Sequence, residues 1–170
     1  LTFPQFVQRV WTACERVHKA LMSSKQEVEI GALALSQKSG RGIDQRQLRF
    51  GGNLDNEHQR VSEVHSQLLL KGYDGNYVFE SWTKGRPIHA PISFGFTTLL
   101  DRITANLQIG ALLFPNTKGE MHSSSSWNAH FTSIALTHLG VAVSPKQVRM
   151  MCATAADKTS TSAVVRQSLC

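Results

Sequence analysis

Apolar residues recur every three or four positions through Phe3, Phe6, Val10, Ala13 and Val17, with Leu21 extending the stripe, so the chain opens on a predicted helix with one core-facing side. Ser23-Ser24 breaks it. Gln26 to Gln37 forms a second predicted helix, in which Glu27 and Glu29 suit the positive end of the helix dipole and Val28, Ala32 and Leu35 face inward. Ser39-Gly40 stops that helix. Arg41 to Phe50 is polar and basic, with Ile43, Gln47 and Leu48 on a short helical face that ends at Gly51-Gly52.

From Val61 the period changes. Val64, Ser66, Leu68 and Leu70 fall on one side of a strand, Tyr73-Asp74-Gly75-Asn76 supplies a turn, and Tyr77 to Trp82 is rich in β-formers. Lys84-Gly85 makes a second turn before Pro87 to Ile92, whose prolines suit an edge strand. Helical spacing returns through Phe96, Leu99, Leu100, Ile103 and Leu107, about four turns. The apolar run Ala111 to Phe114 leads into the polar loop Pro115 to Gly119. Ser123 to Ser126 offers N-caps for a helix carrying Trp127, Phe131, Ile134 and Leu139, with Gly140 as its stop. Ser144-Pro145 starts another, to about Ala156, because serine caps well and proline is preferred at the first helical position. The expected fold class is α+β, mainly helical with a small three-stranded antiparallel sheet.

The 170 residues, 41% apolar and 18% charged, suit a single globular domain, residues 1–170, rather than a disordered chain. No apolar run approaches the roughly 18 residues of a membrane span, and Leu1-Thr2-Phe3-Pro4 lacks the basic and apolar blocks of a signal peptide. Cys14, Cys152 and Cys170 are odd in number and widely spaced, which suggests neither a disulfide framework nor a metal site and points to a reducing, intracellular setting. The seven histidines show no ligand spacing; His18 and His138 sit on predicted helices and His89 in a strand, so no metal is expected. Trp82, Trp127 and the phenylalanines fall on apolar faces and read as core. The formal charge of +6 admits a polyanionic partner without requiring one.

One stretch narrows this. Lys38-Ser39-Gly40-Arg41-Gly42-Ile43-Asp44-Gln45-Arg46-Gln47-Leu48-Arg49-Phe50 follows an apolar helix and resembles the first arginine box of the tyrosine recombinase (phage integrase) superfamily, with Arg41 as its arginine, Asp44 as the acid three residues on, and Leu48 with Phe50 as its apolar end. The order downstream is similar to the family's: a three-stranded sheet with a lysine in its second turn, helices, then a second box. Lys146-Gln147-Val148-Arg149 stands at that second box, usually H-x-x-R, and the small residues Cys152 to Ala156 follow it. Lys146 replaces the common histidine, which keeps a donor but loses a group titrating near neutral pH.

The resemblance implies phosphoryl transfer on duplex DNA. Arg41 and Arg149 would hold the non-bridging oxygens of the scissile phosphate, Lys84 would protonate the leaving 5′ oxygen, Lys146 would add a donor, and Asp44 would orient Arg41. Lys71, in the preceding turn, is the rival to Lys84. No cofactor or metal is implied, since the guanidinium pair supplies the charge. The family's nucleophile is a tyrosine in a late helix, whereas Tyr73 and Tyr77 both lie in the predicted hairpin. The chain is therefore expected to be C-terminally incomplete, to bind DNA without cleaving it, and in its full-length form to act as a homo-oligomer on DNA, in the nucleus if the host is eukaryotic. Two alternatives stay open: a domesticated, non-catalytic DNA-binding module, and a basic helical domain that binds protein.

Overall fold

Five helices and a four-stranded sheet form among the residues that the structure, a computed structural model, describes: 1–19, 23–37, 45–54, 65, 67–81 and 88–159. In chain order they are α1 (Phe3–Lys19), α2 (Ser24–Ser36), β1 (Arg49–Asn53), β2 (Gln67–Lys71), β3 (Tyr77–Ser81), β4 (Ile88–Pro91), α3 (Thr97–Thr104), α4 (Ser124–Leu139) and α5 (Pro145–Thr159). Short 3-10 turns at Gln45–Gln47 and Phe94–Phe96 lead into β1 and α3. The chain divides into two compact units, one of Leu1–Arg41 with Ser123–Cys170 and the other of Gly42–His122.

In the helical unit, α1 buries the stripe Phe6, Val10, Ala13, Cys14 and Val17. A reciprocal capping box starts α2: the Ser23 hydroxyl accepts from the Gln26 N–H, and the Gln26 side chain accepts from the Ser23 N–H. Every residue from Ile30 to Ser36 is buried, so this half of α2 is enclosed on all sides, not on one face alone. It packs against α1, α4 and α5. Ser123 caps α4 through the Ser126 N–H at 3.1 Å, and Gly140 ends it at φ 76°, where a side chain would be strained. Two arginines of α1 satisfy the carbonyls left open there, Arg9 donating to Leu139 O and Arg16 to His138 O, each at 2.7 Å.

The sheet of the other unit has the order β1-β2-β3-β4. Its antiparallel meander, β2 to β4, matches the three expected strands, with the Asp74-Gly75 turn closing the first hairpin and β4 on the edge. A fourth strand corrects the expected count. Arg49–Asn53, part of which reads in sequence as a helical face, runs parallel to β2. Its glycines do not terminate a helix. Phe50 pairs with Leu69 and Gly52 with Leu70, leaving Gly51 as the extra residue of a bulge, and Gly52 adopts φ 77°. A Cβ on Gly51 would overlap Leu70 Cδ2. On the other side of β1 the apolar segment after α3 adds bonds, Phe50 N–H to Ala111 O and Leu113 N–H to Leu48 O. Leu68, Leu69 and Leu70 are consequently inaccessible on both faces of β2, so the expected alternation gives way to a continuous apolar run. α3 also ends earlier than its apolar spacing suggests, at Thr104, where the chain turns back toward β1.

Candidate functional site

α5 carries the two site residues that lie within the described part of the chain. Ser144 and Gln147 cap its start reciprocally, at 2.8 and 3.2 Å, with Pro145 in the first helical position. Val148, Cys152 and Ala156 point inward at helical spacing, which leaves Lys146 and Arg149 exposed, three residues apart and on neighbouring positions of the helix surface. Neither makes an ion pair or hydrogen bond with another described residue, and the first turn holds no acidic side chain. The unit around them is strongly basic, with ten Lys and Arg against four Asp and Glu, whereas the sheet unit balances eight against eight. The whole +6 excess therefore belongs to the segments that form the helical unit.

Arg41, Asp44 and Lys84 lie outside the described residues. Lys84 falls in the stretch between Ser81 and Ile88, which pair across β3 and β4. Its rival, Lys71, ends β2 and is engaged: its Nζ lies 2.9 Å from Asp101 Oδ1 and 5.8 Å from the centre of the Tyr77 ring. Tyr77 donates to the same carboxylate oxygen at 2.6 Å and sits 3.1 Å from Thr104 Oγ1. Asp101 thus joins the β2–β3 hairpin to α3, a role the sequence signals only by placing an acid one turn before Thr104.

The electrostatics follow from these contacts. Burial opposes ionisation of Asp101, but the Tyr77 and Lys71 donors outweigh it and hold its pKa below the usual carboxylate value. Burial, with the adjacent carboxylate, pushes the Tyr77 phenol up. That hydroxyl is a fixed donor rather than a nucleophile, while Tyr73, on the β2–β3 turn, is 84% exposed. Burial likewise pushes the Cys14 thiol up to about 12, with Glu15 adding to the effect, so it is a packing group. Cys152 is disulfide-bonded, contrary to the expectation from cysteine spacing. Trp127 is buried as expected, whereas Phe94 is 80% exposed and not core. Among the described residues no group of His, Cys, Asp and Glu is placed to hold a metal ion, and no helix is long and apolar enough to cross a membrane. Comparison with protein-family models, curated proteins and solved structures found no match to this chain.

Proposed function

We propose that the chain is the DNA-binding core of a tyrosine-recombinase-like protein, which grips the backbone of duplex DNA and does not itself cut it. The observation that carries this reading is the pair Lys146 and Arg149, exposed and unpaired among the described residues on the first two turns of a capped helix, in the unit that holds the basic excess. An antiparallel meander with Lys84 in its second connection precedes that helix, in the order the resemblance requires. In this reading Arg149 and Arg41 neutralise the non-bridging oxygens of one phosphate and Lys146 adds a third donor. The resemblance alone would add Lys84 as the proton donor to the leaving oxygen and Asp44 as the orienting acid of Arg41. Lys71 is assigned no such role, because Asp101 already holds its ammonium. Tyr77 is committed to the same carboxylate and Tyr73 lies on the β2–β3 turn rather than in a late helix, so strand cleavage is assigned to no tyrosine of this chain.

The test is titration of a fluorescent duplex at two salt concentrations. Binding should weaken steeply with salt, and Lys146→Ala and Arg149→Ala should each lower the slope of log K against log salt by about 0.9, the value of one lost phosphate contact. A duplex carrying a nicked suicide site should yield no covalent adduct. Salt-independent binding, no binding, or unchanged slopes in both variants would remove the reading.

A further inference from the structure

Inside the sheet unit two basic side chains meet at one glycine. Arg49, the first residue of β1, donates from Nη1 to Gly110 O at 2.8 Å, in the segment that borders the far side of that strand. His65 reaches the same residue from ahead of β2, with its Nε2 3.9 Å from where a Cβ on Gly110 would stand. Gly110 adopts φ 91°, which disfavours any side chain, and a side chain there would rest against the His65 ring; glycine keeps this corner open. Both basic side chains are partly buried, and neither makes an ion pair among the described residues. The described carboxylates of this unit are occupied elsewhere: Asp101 by Lys71 and Tyr77, Glu80 by His89, Asp74 by the Asn76 N–H, while Glu120 lies exposed on the 116–120 turn. Burial, and then the Arg49 charge, hold the His65 pKa below the ordinary imidazole value.

We infer that Arg49 and His65 form a binding site for a phosphate group at the Gly110 corner. The bond to Gly110 O fixes the guanidinium and leaves its other N–H donors without a partner among the described residues, so the fork is oriented before a ligand arrives. An anion at the corner supplies the negative charge that Arg49 lacks and favours the protonated imidazole beside it. The donors select phosphate over a carboxylate, because the planar fork takes two oxygens of the ligand and the imidazole takes a third, which only a tetrahedral oxyanion offers. Both residues belong to the sheet unit, whereas Lys146 and Arg149 belong to the helical one, so the inference does not rest on the DNA reading.

Calorimetric titration of inorganic phosphate into the whole chain, at an ionic strength held constant with chloride, tests it. Binding should saturate, and Arg49→Gln and His65→Phe should each weaken it by about tenfold, the loss of a charge-assisted hydrogen bond. Lys118→Ala, which removes an exposed positive charge from the 116–120 turn of the same unit, should leave it unchanged. Circular dichroism checks that the variants are folded. If Arg49→Gln does not fold without its bond to Gly110 O, His65→Phe carries the test, because His65 makes no hydrogen bond with another described residue. Titration of a duplex then identifies the source of the phosphate. If a DNA backbone supplies it, Arg49→Gln lowers the slope of log K against log salt by about 0.9; if a free phosphate or a phosphomonoester supplies it, duplex binding is the same in both variants as in wild type. Either result keeps the site, and phosphate binding through Arg49 and His65 without any duplex binding would retire the DNA reading alone. No saturable binding, an equal loss in Lys118→Ala, or an affinity unchanged in His65→Phe or in folded Arg49→Gln would overturn the inference.

Discussion

Removal of one oxygen, in Tyr77→Phe, tests how the β2–β3 hairpin is fastened to α3. The ring stays, so no cavity opens, and Thr104 keeps its bond to Leu100 O at 2.8 Å. What is lost is the 2.6 Å donation to Asp101 Oδ1. A buried hydrogen bond to a charged group contributes about 1.5–3 kcal/mol. The Asp101 side chain is 44% exposed, which screens its charge and places the expected cost at the lower end, about 1–2 kcal/mol. In a chain of this length that corresponds to a Tm lower by roughly 2–8 °C. The assay is urea unfolding of wild type, Tyr77→Phe, Asp101→Ala and the double variant, at pH 6 and again near pH 3. Because the folded Asp101 pKa lies below the ordinary value of 3.8, its contribution is complete above that value and is lost as pH falls through the lower folded one. The cost of Tyr77→Phe should therefore shrink toward acid pH. At the alkaline end the raised Tyr77 pKa has the opposite sense: its contribution is complete below the ordinary phenol value and is lost as pH rises through the folded one. A cost under about 0.3 kcal/mol at pH 6, or additive effects in the double variant, would refute the fastening role.

Two further perturbations probe other joints. Gly51→Ala should destabilise the chain by about 1–3 kcal/mol in the same unfolding assay, because the new Cβ meets Leu70 Cγ at 3.2 Å and overlaps the adjacent Cδ2; an unchanged midpoint would show that the bulge can relax. Arg9→Ala and Arg16→Ala should each cost about 1 kcal/mol, since each leaves a carbonyl at the C-terminal end of α4 without its guanidinium donor, and hydrogen exchange should rise first in the last turn of that helix.

Much of the fold was legible wherever the signal was local. The α1 stripe reappears as buried side chains, Ser123 and Gly140 bound α4, and Ser144-Pro145 starts α5. The Asp74-Gly75 turn and the proline-marked edge of β4 were readable for the same reason: steric preference at a few residues decides them. The role of Asp101 was not legible, because its partners Lys71 and Tyr77 lie 30 and 24 residues away and nothing in their spacing marks a meeting. Of the candidate site, the exposure of Lys146 and Arg149 was half-written in sequence, through the alternation with Val148 and Cys152 that turns them outward.

The sequence by itself determined the helices with amphipathic stripes, their caps, and the meander, since each follows from side-chain period and backbone preference within a short window. It also set the order along the chain of the basic segments around Arg41 and around Lys146 and Arg149. Only the tertiary structure made Arg49–Asn53 a strand, because five residues with two glycines carry no period of their own and become β by bonding to β2 on one side and to the Gly110–Leu113 segment on the other. Only the tertiary structure, too, gathered the entire charge excess into one unit, joining segments from both ends of the chain while the neutral middle formed the other. Net charge is a sum that sequence supplies; where the charges stand relative to one another is set by packing.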